Sequence, residues 1–167
     1  IVTHFEGISN GTDLTEGVKQ YQVNNSRKLR EKWKEELDRQ YPNAVNVFRA
    51  RERSRDRKIV LFIDHYVPHF DEDAGSKTVY QYLKMFVEKG YIVKFIGDNY
   101  YRHEPYTTVL QQMGIEVLYG PYYAQHSRNW IRDNKSGIDI AFLNRPHISE
   151  KYIDLIHNEC GIKTIYY

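Results

Sequence analysis

The run Ile59-Val60-Leu61-Phe62-Ile63-Asp64, followed by the polar loop His65 to Asp73 and by Ala74-Gly75-Ser76, constrains this chain more than any other stretch. A short, almost wholly apolar run reads as a strand buried on both faces. The turn leads into a helix pattern over Ser76 to Lys89, with Val79, Leu83, Phe86 and Val87 on one face. Strand, loop and helix N-terminus in that order build anion sites in α/β proteins, because free N–H groups and the helix dipole face the ligand. The chemistry this order suggests is a phosphate-bearing or sugar-bearing ligand.

From Lys58 onward strands and helices alternate. Strand patterns cover Ile59–Ile63, Ile92–Ile96, Ile115–Tyr119, Ile138–Leu143 and Thr164–Tyr167. Between them lie helix patterns: Ser76–Lys89, then Glu104–Met113 with Pro105 at its first turn, a third around Trp130 and Ile131, and Ser149–Glu159. Ser149 is the expected cap of the last, with Ile148 and Ile153 as its staple. Gly90, Gly114 and Gly161 stand where helix C-caps belong. Alternation with short connections implies parallel strands joined by right-handed crossovers. The expected fold is α/β: a Rossmann-like open parallel sheet in order 3-2-1-4-5, helices on both faces, plus an N-terminal helical arm.

In that arm Asn25 or Ser26 is the expected cap, Leu29, Trp33, Leu37 and Tyr41 form a stripe at steps of four, and Pro42 ends the helix. Ile1–His4 reads as a short strand, and the Arg-rich stretch after Arg49 as a linker. The expected division is thus 1–48, a basic linker at 49–57, and 58–167. Residues 26–58 hold 12 Lys or Arg against 6 Asp or Glu, although the net charge is only +2. Glu31, Glu35, Glu36 and Asp38 interleave with those cations, so the arm reads as a solvated helix face and not as a nucleic-acid surface. No apolar stretch approaches the ~20 residues a membrane span needs. A single cysteine, Cys160, excludes an intrachain disulfide and suits a reducing cytosol.

In an open α/β sheet the ligand lies beyond the carboxyl ends of the strands where their order reverses, here between the first and fourth. The residues leaving the first strand are Asp64 to Ser76, among them His65, Asp73, Gly75 and Ser76. Those leaving the fourth are Asn144-Arg145-Pro146-His147. Together they offer carboxylates, an amide, a guanidinium, imidazoles and N–H groups, which suit sugar or phosphate. Asp73 or Ser76 also serves as an ordinary helix cap, and many of the 15 tyrosines, Tyr100, Tyr101, Tyr119, Tyr122 and Tyr123 among them, fall on rim loops. His65, His69, Asp71 and Asp73 are metal-ligand types, but their loop fixes no spacing and no metal site is assigned. A dinucleotide fingerprint, a P-loop and a serine nucleophile elbow are all missing.

The stretch Ile63-Asp64-His65-Tyr66-Val67-Pro68 through Asp71-Glu72-Asp73-Ala74-Gly75-Ser76 resembles the start of the N-terminal half of GT-B-fold glycosyltransferases of the family-four kind. The likeness continues through Tyr80-Gln81-Tyr82-Leu83, Asp98-Asn99, Glu104-Pro105-Tyr106, Val117 to Tyr122 and Arg145-Pro146-His147. The front, His4-Phe5-Glu6-Gly7-Ile8-Ser9-Asn10-Gly11-Thr12-Asp13 with Gly17 to Gln22 and the Trp33 helix, is similar to the C-terminal end of family-two, GT-A-fold glycosyltransferases. The resemblance implies a tandem bacterial, cytoplasmic enzyme, of which this chain bridges two modules. That enzyme would transfer a sugar from a nucleotide-sugar to a glycan acceptor, with this fragment inactive without its missing C-terminal GT-B half. By similarity Gly75 and Ser76 approach the donor phosphates, while Asp64, His65, Arg145 and His147 line the acceptor side, with Asp64 or His147 positioning the acceptor hydroxyl. Asp73 and Asn144 complete the expected substrate contacts. No cofactor is implied within the fragment; a divalent metal belongs to the GT-A module, where His4 matches a metal–diphosphate position. The competing expectation is a non-catalytic module that docks a partner through its Tyr-rich rim or the Trp33 helix.

Overall fold

The computed structural model describes residues 13–51 and 56–167, and the chain divides into two compact units, Ile1–Arg55 and Asp56–Tyr167. The expected strand at Ile1–His4 and the His4 motif lie outside the described residues.

In the first unit, α1 runs Gly17–Lys32, α2 Lys34–Asp38 and α3 Val47–Ala50. The helix therefore starts well before Asn25, which with Ser26 sits inside it, since nothing from Val18 to Val23 interrupts helical dihedrals. Trp33 (φ −110°, ψ 23°) breaks it into two, and α2 ends before Pro42. No residue of α1 or α2 is buried, and the stripe at Leu29, Trp33 and Leu37 is 57%, 48% and 42% exposed.

In the second unit, β1 (Ile59–Asp64), β2 (Ile92–Gly97), β3 (Glu116–Val117), β4 (Ile140–Leu143) and β5 (Lys163–Tyr166) form one all-parallel sheet in order β3-β2-β1-β4-β5. The Rossmann-like expectation and its strand order are met. Every residue of β1 and β2 is buried, as their apolar runs require. Register sets Phe62 opposite Phe95 and Phe142, whose rings stack on it at 5.9 and 4.6 Å.

Side chains alternate between the two faces. Val60, Phe62, Val93 and Phe95 meet α4 (Ala74–Glu88) and α5 (Tyr106–Gln112) through Val79, Leu83, Phe86 and Leu110. Ile59, Leu61, Ile63 and Ile96 point the other way. There α6 (Pro121–Asn134) and α7 (Pro146–Ile153), the latter running on into a π-helical turn at Asp154–Glu159, bury Ile131, Ile148, Tyr152, Leu155 and Ile156. Among the buried residues of β1 and β2, Asp64 and Lys94 are charged; Lys94 is fully buried and paired with Glu116 of β3.

Several boundaries shift for local reasons. Asp73 caps α4, its carboxylate accepting from the Ser76 N–H at 2.7 Å. Pro105 precedes α5 as its cap instead of opening it. The helix around Trp130 begins at Pro121. Ser149 does not cap α7: Pro146 opens that helix directly after Arg145, so Ile148 lies inside it. Gly90 and Gly114 do end their helices in left-handed conformations (φ +82° and +85°). Within residues 49–57, α3 takes in Arg49 and Ala50, and Arg57 donates to the carbonyls of Gly90 and Tyr91 at 2.6 and 3.1 Å.

Candidate functional site

The reversal of strand order between β1 and β4 opens the crevice expected there. Asp64 is the last residue of β1 and only 2% exposed. Its Oδ1 accepts the His65 N–H at 2.7 Å and the Arg145 Nε–H at 2.9 Å. Two loops that are 81 residues apart in sequence are thereby tied across the switch point by one ion pair. Burial acts against the charge on Arg145, but the Asp64 carboxylate outweighs it and raises the guanidinium pKa. Arg145 reaches this position from a backbone with φ +81° and ψ 141°, a region costly for any residue with a Cβ.

With Nε engaged, the terminal nitrogens of Arg145 remain. One stands 3.6 Å from where a Cβ on Gly75 would lie, and the guanidinium sits 5.6 Å above the Tyr66 ring. A Cβ at Gly75 would stand 3.2 Å from the Asp73 carboxylate, tighter than ordinary packing, and in ordinary contact with this nitrogen, so glycine leaves the α4 terminus clear on the Asp73 side. Around them is a cleft of about 410 Å³ lined by Gly75, Thr78, Asn144, Arg145, Pro146 and Tyr167. Asn144 is buried at 6% exposure where it borders this cleft.

The start of α4 is less available to an anion than its sequence suggests. Ser76 donates both its N–H (2.7 Å) and its hydroxyl (2.6 Å) to Asp73. The Ser76 hydroxyl, then its N–H, hold the Asp73 carboxyl below the usual carboxylate range, with Arg145 adding to them. A carboxylate already fills the end of the helix dipole, so the anion-binding character of the crevice rests on Arg145 more than on free amides.

His147, in the first turn of α7, places Nε2 3.2 Å from Nδ1 of His65, with the rings edge to face. One of these nitrogens donates and the other accepts, leaving Nε2 of His65 and Nδ1 of His147 for a ligand. The structure thus brings Asp64, His65, Asp73, Gly75, Asn144, Arg145 and His147 to one rim. It commits Ser76 to the cap.

Sequence reasoning passed over a second polar cluster on the same rim. Tyr152, 1% exposed on α7, donates to Asp98 at 2.6 Å and meets the Tyr100 hydroxyl at 2.8 Å; Tyr100 meets Ser127 at 2.6 Å. Lys151 grips both oxygens of Asp98, at 2.7 and 2.9 Å. Tyr152 donates to the Asp98 carboxylate, so the hydroxyls donate in series from Ser127 to Tyr100 to Tyr152 to Asp98. Burial, followed by Asp98 and Tyr100, raises the Tyr152 pKa far above that of a free phenol. Nothing in an amphipathic helix pattern distinguishes a tyrosine with such partners from an ordinary packing residue.

The loop after β1 passes directly over the end of β2, where a Cβ on Gly97 would stand 3.2 Å from the Tyr66 backbone. In that loop Nδ1 of His69 lies 2.9 Å from Glu72, its ring stacks on Tyr106 at 4.6 Å and meets His103 at 4.2 Å, and its Nε2 is buried without a hydrogen-bond partner. Among the described residues, no group of three or more His, Cys, Asp or Glu side chains is arranged to hold a metal ion. Nor is any helix among them long and apolar enough to cross a membrane. No protein-family model matches the chain, and no curated protein matches it.

Proposed function

We propose that the Asp56–Tyr167 unit is the acceptor-side, N-terminal half of a GT-B-type glycosyltransferase. Its longer parent, cytoplasmic in this reading, moves a sugar from a nucleotide-sugar to a glycan hydroxyl. The observation that carries the proposal is Arg145, oriented by buried Asp64 at the strand-order switch and turned toward the open Gly75 corner. A fixed guanidinium there offsets charge that develops on a departing diphosphate, and orientation by Asp64 spares its reorganisation during reaction. The His65–His147 pair lies on the same rim, where one imidazole nitrogen accepts a hydrogen bond from the acceptor hydroxyl and aligns it. Gly75 keeps the donor's approach clear.

The test is sugar transfer by the polypeptide of the natural reading frame that contains this chain, assayed with a panel of nucleotide-sugars. Turnover is expected, with kcat/KM falling about 100-fold on Arg145→Ala, in the range for losing a preorganised charge-stabilising donor. The 167-residue chain alone is expected to be inactive. Absence of nucleotide-sugar consumption by the longer polypeptide, or full activity in Arg145→Ala, overturns the proposal.

A second reading, a module that docks a partner, is favoured by one observation: Tyr21, Leu29 and Trp33 of the first unit stand 65%, 57% and 48% exposed. Exposed apolar stripes on helices are common docking faces. Under that reading Trp33 fluorescence shifts to the blue on mixing with the remainder of the parent protein, and Arg145→Ala leaves the shift unchanged.

A further inference from the structure

Between α6 and α7 lies another cavity, of about 280 Å³, whose floor is the hydroxyl series that ends on Asp98. Arg128, Arg132 and Lys151 line it, and two of these cations are already paired. Lys151 holds Asp98, and Arg132 holds Glu159 at 2.9 Å. Arg128 forms no ion pair among the described residues: its guanidinium sits 5.8 Å from the centre of the Tyr152 ring and reaches only the Lys151 carbonyl, at 3.5 Å. Arg132 lowers the Glu159 carboxyl first and Arg128 least, so Glu159 belongs to Arg132. Three cations against two carboxylates leave the cavity one positive charge, and it resides on Arg128.

The neutral groups are placed as selectively as the charge. Ser127 is 4% exposed and heads the hydroxyl series, so it donates inward and its oxygen keeps a lone pair for a donor in the cavity. Tyr100 enters that series from a left-handed backbone, φ +53°, which an aromatic residue rarely adopts. The Gln125 amide, also on the wall, can donate or accept.

We propose that this cavity binds one acidic sugar ring, whose carboxylate pairs with Arg128 and whose ring hydroxyl donates to Ser127. A neutral sugar leaves the cation unmatched, and an inorganic anion such as sulfate has no proton to give Ser127. The volume lies just under the ~300 Å³ at which sites for drug-sized ligands begin, which suits a single ring. The Asp98 N–H donates to the Asp64 carbonyl at 2.8 Å, so the cavity and the Asp64–Arg145 crevice are anchored to adjoining strand ends. That the ring belongs to the glycan acceptor, and that the acceptor is therefore acidic, rests on the proposed function; the chemistry of the cavity does not.

Amide NMR on the 167-residue chain, titrated with glucuronate, glucose and sulfate, tests this. Glucuronate is expected to give saturable shifts at Ser127, Arg128 and Tyr152, with glucose at least about tenfold weaker, the usual worth of a charge-assisted hydrogen bond. Arg128→Ala, a change at an exposed position, should weaken glucuronate by about the same factor. Ser127→Ala should weaken glucuronate but not sulfate. Absence of saturable shifts, shifts confined to Thr78 and Arg145, glucose or sulfate binding as tightly as glucuronate, or unchanged affinity in Arg128→Ala overturns the inference. Glucuronate binding without sugar transfer by the longer polypeptide would keep the site and remove the glycosyltransferase reading; transfer without glucuronate binding would do the reverse.

Discussion

Arg145 joins three physical demands in one residue: an ion pair with a buried carboxylate, a cation over an aromatic ring, and a backbone that disfavours any side chain. Arg145→Ala removes the first two and keeps the third. It is expected to cost about 2 kcal/mol, because Asp64 is left buried with only the His65 N–H. Arg145→Gly loses the same contacts but relaxes the backbone, and should be about 1 kcal/mol more stable than Arg145→Ala. Urea unfolding of the two variants checks this, and equal midpoints would show that the backbone carries no strain. At Asp73 the expected loss on substitution by Ala is about 1 kcal/mol, the usual worth of an N-cap. Its folded pKa is lowered, chiefly by Ser76, so the folded state binds the proton less readily than the unfolded chain. The contribution is therefore complete above the ordinary carboxylate range and disappears as pH falls through the lowered value. Unfolding curves of wild type and Asp73→Ala should differ at pH 7 and converge in strong acid.

At the scale of elements, two polar pairings sit where apolar packing is the rule. Lys94 on β2 is fully buried, whereas the side chain of its partner Glu116 on β3 is 34% exposed. This asymmetry sets the direction of a test. Lys94→Met leaves Glu116 able to rehydrate and should change stability by less than about 1 kcal/mol, while Glu116→Ala takes the carboxylate away from a buried ammonium and should cost more. The reverse order in thermal unfolding would mean that the Glu116 carboxylate contributes little to holding Lys94. Tyr152 couples α7 to the loop after β2 and, through Tyr100 and Ser127, to α6. Tyr152→Phe deletes the middle of that series and leaves Asp98 and Tyr100 each short of a partner, an expected loss of about 1–2 kcal/mol. The raised phenol pKa also has a sign: above pH ~10 the unfolded chain releases this proton while the folded one holds it, so stability falls with rising alkalinity. In Tyr152→Phe that part of the alkaline slope should be missing.

At the scale of the molecule, the core lies in the second unit, while α1 and α2 bury nothing. A 16-residue helix without tertiary cover is marginal in water. Residues 56–167 expressed alone should therefore fold and unfold cooperatively, since the buried apolar core among the described residues lies within them. A gradual, non-cooperative melt would show that they are not an independent folding unit.

The sheet was legible because its strands are apolar runs of the right length, separated by helices and closed by glycines. That pattern admits few parallel topologies, and order 3-2-1-4-5 is the simplest. The meeting of Asp64 with the Asn144–His147 loop followed from the same order, since ligand crevices lie where strand order reverses. Helix starts were less legible. Arg145 precedes Pro146 in a conformation that no propensity favours, and Ser149 offered a more conventional cap. Local sequence therefore determined which segments are strands, which are helices and in what order they run, because hydrophobic period and turn chemistry act over a few residues. Only tertiary structure decided that Arg145 turns to Asp64 and that Tyr152 ends at Asp98. Those choices depend on angstrom-scale distances between groups far apart along the chain, which no local pattern encodes.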